Sequence, residues 1–204
     1  MTEFRKKDKQ RRRTSDLDPD PEIWEALEGG PKLKRLLDEF YTRVYADPRL
    51  NHFFEGTTKQ RAAEKQYSFL RQIFTGEKIY FGDRPRNSHH WMVISDELFT
   101  YREELFATCL RDHGIPEHLI ERWRGVHECF RKQIVKDAPR PKKMRGKALP
   151  FEGYGSLVLD IGSICDGCSG ELVPGVEVRY HNRTGQTYCL ECVPGEESTR
   201  PAPA

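Results

Sequence analysis

Apolar residues recur at helical spacing from position 21 to about 137, and the pattern then turns strand-like. Ile23, Trp24 and Leu27 make a short amphipathic turn that Gly29-Gly30 breaks. Pro31 suits a first helical position. Leu33, Leu36, Leu37, Phe40, Tyr41 and Val44 follow at spacings of three and four, predicting a helix that stops near Asp47-Pro48. After the aromatic corner Phe53-Phe54-Glu55-Gly56, a second long helix is predicted over 58–74, with Ala62, Gln66, Phe69 and Ile73 on one stripe. Residues 75–88 are rich in turn formers and read as a loop, and a short helical piece is expected at 89–93. Ser95 or Asp96 caps a helix ending at His113-Gly114, and the last helix is predicted over 116–137. From Leu157 the chain alternates instead: Leu157, Val158 and Leu159, then Val176, Val178 and Tyr180, separated by Pro-Gly and Thr-Gly turns. The expected organisation is an all-α domain at 21–137 and a small β module at 161–196. Residues 138–160 read as a linker, and 1–20 and 197–204 as disordered tails.

Size agrees with two units of unequal independence. Of the 204 residues, about 120 with regular apolar spacing can bury a core, whereas a remainder of about 40 needs a metal or disulfides. A composition of 36% hydrophobic and 32% charged residues describes a polar, soluble chain. The net charge of +2 points to no partner, but the charge is unevenly placed. Seven of the nine residues 5–13 are basic, and 138–150 carries five basic residues and three prolines. No stretch approaches the ~18 apolar residues of a membrane span, and the N-terminus lacks a signal-peptide core. The expectation is a cytoplasmic protein with no membrane partner. In a reducing compartment its six cysteines are not a disulfide framework.

Four of those cysteines form Cys165-Asp-Gly-Cys168 and Cys189-Leu-Glu-Cys192, two CxxC pairs 20 residues apart. Each CxxC turn sets two thiolates on one side of a knuckle, and two knuckles close a tetrahedron around Zn²⁺. The module resembles a zinc ribbon whose closed site is structural. His181 lies near enough in sequence to replace a ligand, although four cysteines already fill the shell. Cys109 and Cys129 fall inside helices and are expected to be small buried hydrophobes.

The helical part resembles the truncated haemoglobins, most closely their first group. The resemblance is carried by Gly29-Gly30, the Phe40-Tyr41 pair, Asp47-Pro48-Arg49-Leu50 and Phe53-Phe54-Glu55-Gly56. It continues through Lys65-Gln66 with Phe69, Tyr80-Phe81-Gly82, and Ser88-His89 with Ile94 and Phe99 downstream, spanning about 21–137. It implies a two-over-two helical globin fold holding haem b. His89 would be the axial iron ligand, and His90 the wrong neighbour. Phe54 would pack against the haem plane. Ala62 falls where many globins carry a histidine, so Tyr41 and Gln66 would supply the distal polar atoms, with Phe69 on the same face. Lys65 would reach a haem propionate or stay solvated.

The resemblance implies reversible binding of O₂, NO or CO, oxygen binding and transport among its uses. Turnover of NO with O₂ to nitrate would need an electron donor, and the extra segments would also suit a gas or redox sensor. The rival expectation is a haem-free adaptor that binds nucleic acid or protein through the ribbon and the basic segments. Against it, the ribbon carries Asp166, Glu171, Glu177 and Glu191 and no clear Arg-aromatic face.

Overall fold

The computed structural model describes residues 17–80, 82–144 and 146–195. The chain divides into two compact units between Pro139 and Arg140. The first is built from α1 (Pro21–Ala26), α2 (Pro31–Ala46), α3 (Lys59–Thr75), α4 (Pro85–Ser88), α5 (Asp96–Asp112) and α6 (Glu117–Ile134), with a 3-10 turn at Asn51–Phe54. Local chemistry sets the helix starts. Asp20, Thr58 and Ser95 accept from the backbone N–H of Ile23, Arg61 and Leu98, satisfying first-turn donors that would otherwise lack partners. Gly30 enters α2 with φ +124°, and a Cβ there would collide with the Tyr67 hydroxyl, so the position requires glycine.

α2 packs on α3 and α5, α5 on α6, and α4 on α6. The stripe Leu33, Leu36, Leu37, Phe40 and Val44 of α2 meets Leu70, Ile73 and Phe74 of α3, Phe106 and Leu110 of α5, and Ile120 and Trp123 of α6. Edge-on and tilted aromatic contacts join these layers, Phe40 to Phe106 and Phe74 to Trp123, both at 4.7 Å between centroids. Among the described residues no helix is long and apolar enough to cross a membrane.

Three expectations change. The short helix lies at Pro85–Ser88, inside the expected loop, and His89 is its C-cap. Pro85 is pre-set for a first helical turn, and the following segment opens because the Ile94 carbonyl accepts from the Lys136 N–H at 3.0 Å. That bridge also ends α6 at Ile134, three residues short of the expected end. Residues 17–20 are part of the fold: Leu17 packs on the core, and Asp20 binds Arg122 and caps α1. The rest of the expected tails, 1–16 and 197–204, lies outside the described residues.

The second unit holds β1 (Lys143–Met144), β2 (Lys147–Ala148), β3 (Tyr154–Val158), β4 (Ser163–Ile164), β5 (Glu171–Leu172), β6 (Glu177–His181) and β7 (Thr187–Tyr188). β6 lies between antiparallel β3 and β7, with Leu157 opposite Val178, while β4 pairs with β5 and β1 with β2. Its core is small: Cys165, Leu172, Val178, Tyr188 and Val193. Segment 138–160, expected as a linker, instead contributes β1, β2 and β3. Lys142 is buried there with its ammonium 4.9 Å from the Tyr180 ring centroid. A charge-rich run can join a sheet because strand pairing uses backbone groups and a lysine stem packs like an apolar chain.

Candidate functional site

α3, α4, α5, α6 and the 3-10 turn enclose a cavity of about 150 Å³, or about 810 Å³ with its open mouth. Phe53, Phe54, Phe69, Met92, Phe99 and Phe130 wall it, with Gln66, His89, Arg102, Glu103 and His127 as its polar groups. His89 enters from the end of α4. Its Nδ1 lies 2.9 Å from the Pro85 carbonyl and 3.0 Å from Ser88 Oγ. A carbonyl only accepts, so Nδ1 carries the proton and donates to it, leaving Nε2 as a lone-pair nitrogen. Burial pulls the His89 pKa down to about 4, and the Lys136 and Arg102 charges act in the same direction against the Pro85 bond, so the ring is neutral. Lys136 Nζ donates to the His89 carbonyl at 2.6 Å, holding the segment in place. His90 is buried at 2% exposure and does not line the cavity.

The other sequence-selected residues fall into two sets. Phe54, Gln66 and Phe69 line the cavity with His89. Tyr41 and Ala62 are buried in the adjoining core, and Lys65 is half-buried outside the lining. Tyr41 reaches the wall through Phe54, edge-on at 5.7 Å. Its hydroxyl has no hydrogen-bond partner among the described residues, and burial pushes its pKa up to about 12, opposed by the Arg102 charge. Gln66 likewise has no partner among the described residues. Of the second glycine motif, Phe81 lies outside the described residues. Its neighbour Tyr80 donates to the Asp83 carbonyl at 2.6 Å and meets Phe69 edge-on.

A polar chain that sequence reasoning missed completes the wall. Trp123 Nε1–H can only donate, so His127 Nε2, 3.2 Å away, accepts. The His127 proton is then on Nδ1 and goes to Glu103 Oε2 at 2.7 Å, while Arg102 Nη1 donates to Glu103 Oε1 at 2.6 Å. Burial works against Glu103 ionising, but His127 and Arg102 outweigh it and hold its pKa down at about 2. The signal available was spacing within one helix alone, Trp123 and His127 being four apart on one face.

In the second unit the Sγ atoms of Cys165, Cys168, Cys189 and Cys192 all lie within 4.8 Å of one another. A tetrahedron with bonds of about 2.3 Å needs sulfurs about 3.8 Å apart, so modest closure seats an ion. Cys165 Sγ accepts from the N–H groups of Gly167 and Cys189, both at 3.3 Å. A Cβ at Gly167 would meet Cys192 at 2.7 Å, so the knuckle needs glycine there. His181 turns to Thr184, 3.0 Å away, and is outside the cluster. Cys109 is buried as expected, whereas Cys129 is half-buried and donates to the Gly125 carbonyl at 3.2 Å.

This helical architecture is that of a globin, and a family model described as bacterial-like globin matches residues 22–136. The chain belongs to that family. It is 29% identical over 115 residues to a group 1 truncated hemoglobin of Tetrahymena thermophila, covering 56% of this chain and 95% of the relative. It is 37% identical over 105 residues to the group 1 truncated hemoglobin GlbN of Synechocystis sp., covering 48% and 82%. The crystal structure of the Tetrahymena pyriformis truncated hemoglobin in its Fe(III) form superposes with a TM-score of 0.52 at 29% identity, covering 55% of this chain and 97% of that one. The truncated-globin fold and a four-cysteine module are thus both present in one chain.

Glu103 makes the helical unit acid-sensitive in a defined window. Its folded pKa of about 2 lies below the ordinary 4.5, so its contribution is complete above about 4.5 and is lost as pH falls toward 2. The interval corresponds to about 3 kcal/mol. Glu103→Gln is expected to cost about 3 kcal/mol at pH 7 and much less at pH 3. Urea unfolding at both pH values checks this, and an equal loss at both would refute it.

Proposed function

We propose that the helical unit is a haem-binding globin that binds diatomic gases reversibly, with His89 as the axial ligand and zinc as a structural ion in the second unit. The observation that carries the reading is the neutral His89 ring, tied at Nδ1 and offering Nε2 to an aromatic-walled cavity. Three features of the chain fit haem. The donor is a nitrogen of the kind iron accepts. The walls at Phe54 and Phe69 suit a flat apolar ring. Tyr41 and Gln66 keep polar atoms without protein partners among the described residues.

Ferrous haem, when bound, supplies the capacity to bind O₂, NO or CO. The chain's own contribution is orientation and polarity. Pro85 and Lys136 fix the aim of the imidazole, and the aromatic side chains give it apolar surroundings. Tyr41 is buried behind Phe54 and, with its pKa raised to about 12, stays a phenol at neutral pH; its O–H would donate to a ligand carrying partial negative charge where bound haem opens the wall toward it. Gln66 offers a second amide donor from the cavity wall. NO oxidation would further need an electron donor. In the second unit four thiolates leave no open position, which suits a structural ion.

Titration with haemin tests the axial assignment. His89→Ala is expected to lose stoichiometric binding or the proximal nitrogen bond, with His90→Ala close to native; the reverse result would move the ligand to His90.

Tyr41→Phe is expected to speed O₂ dissociation about ten- to a hundredfold, given 1.5–3 kcal/mol for a hydrogen bond to a polarised acceptor. Gln66→Leu should act in the same direction but less. CO dissociation in the same stopped-flow series should change far less, and equal shifts for both gases would mean that the phenol acts by bulk alone.

Metal analysis is expected to give one Zn²⁺ per chain. A strong chelator should expose the second unit to protease while leaving the helical unit intact, because only the latter has a core large enough to fold without an ion. An unchanged cleavage pattern would count against zinc as the folding ion.

A further inference from the structure

The polar chain in the cavity wall ends on a cation whose donors are not used up. Trp123 locks His127 into its Nδ1–H form, His127 and Arg102 together occupy Glu103, and Arg102 spends one nitrogen, Nη1, on that carboxylate. With His127 Nδ1 protonated, the 3.2 Å approach of Arg102 Nη1 to it joins two donors and is no bond. Nε and Nη2 of Arg102 therefore have no hydrogen-bond partner among the described residues, although the residue lines the cavity beside His89 and Gln66. The guanidinium cannot swing away freely. Its carbon sits 4.8 Å and 4.9 Å from the Phe40 and Phe106 ring centroids. It stays charged at any relevant pH, and its planar donor fork matches oxyanions and other compact anions.

We propose that Arg102 makes the His89 cavity an anion-accepting site, its Nε and Nη2 donating to a small monoanion of the azide or nitrite class. The arrangement rests on the haem reading above, since the anion would share the cavity with that group. Glu103 fixes the position of the cation, and His127 and Trp123 fix Glu103. Those three are positioning residues, and Arg102 is the one that touches the ligand. Glu103 accounts for Nη1 alone; Nε and Nη2 are the donors that a ligand in the cavity would meet.

The test uses the full chain reconstituted with haemin. Azide and nitrite affinities are measured on the ferric protein, and CO affinity on the ferrous protein, by absorption titration. Arg102→Met is expected to lower the ratio of azide to CO affinity at least tenfold, and nitrite should follow azide. Arg102→Lys should recover part of the loss, because it restores the charge without the fork. Since Arg102→Met leaves Glu103 with one partner fewer, the double variant Arg102→Met/Glu103→Gln is the second arm and should show the same ratio. An unchanged ratio in a haem-loaded variant overturns the anion site and leaves the gas-binding reading standing. Failure of the native chain to bind haemin overturns both.

Discussion

The hydrogen bond from His89 Nδ1–H to the Pro85 carbonyl, 2.9 Å long, governs how the cavity is built. A histidine between packed helices could present either nitrogen or turn into the core. The bond removes that freedom by choosing the tautomer and the ring plane at once. It is available because Pro85 begins a four-residue helix whose first carbonyl faces the residue four positions on. That helix is too short to be stable on its own. Lys136, from beyond the end of α6, stabilises the segment by bonding the His89 carbonyl through Nζ and the Ile94 carbonyl through its backbone N–H. The aim of one imidazole thus depends on contacts made by residues 85, 94 and 136.

A space left between helices has to be kept open against the tendency of apolar walls to close. Here the surrounding layers are tied by aromatic contacts that do not cross the cavity, Phe40 to Phe106 and Phe74 to Trp123. The polar chain running from Trp123 to Arg102 adds a second tie between α5 and α6. Such a chain is costly to bury unless every member is satisfied. It is satisfied from Trp123 through Glu103 and stops at Arg102, which places the one member with spare donors at the edge of the open volume.

The two units solve the folding problem differently. The helical unit buries a continuous stripe from each long helix. Among its described residues the second has a core cluster of five, one of them a cysteine of the four-sulfur cluster, and short strands. A domain of that size gains little from burial, and its four cysteine sulfurs, within 4.8 Å of one another, are where a metal ion would supply the rest.

Much of this was legible along the chain because it depends on local periodicity and local chemistry. The stripe of α2, the cap at Ser95, Pro31 at a helix start and the paired CxxC knuckles all rest on residues a few positions apart. The choice of Phe54, Gln66, Phe69 and His89, which do meet at one cavity, came instead from the resemblance of their motifs to the truncated haemoglobins. What the sequence could not reveal depends on residues distant in the chain. The displacement of the short helix to Pro85–Ser88 follows from a bridge between Ile94 and Lys136. The recruitment of 143–158 into the second unit follows from pairing with β6. Tyr41 and Ala62 sit behind the wall rather than on it, since helical spacing selects a face but not which part of that face meets open space. The chain from Trp123 through His127 and Glu103 to Arg102 was hidden for the same reason. Each residue reads alone as an ordinary helical position, and only the crossing of α5 and α6 brings their donors and acceptors within bonding distance.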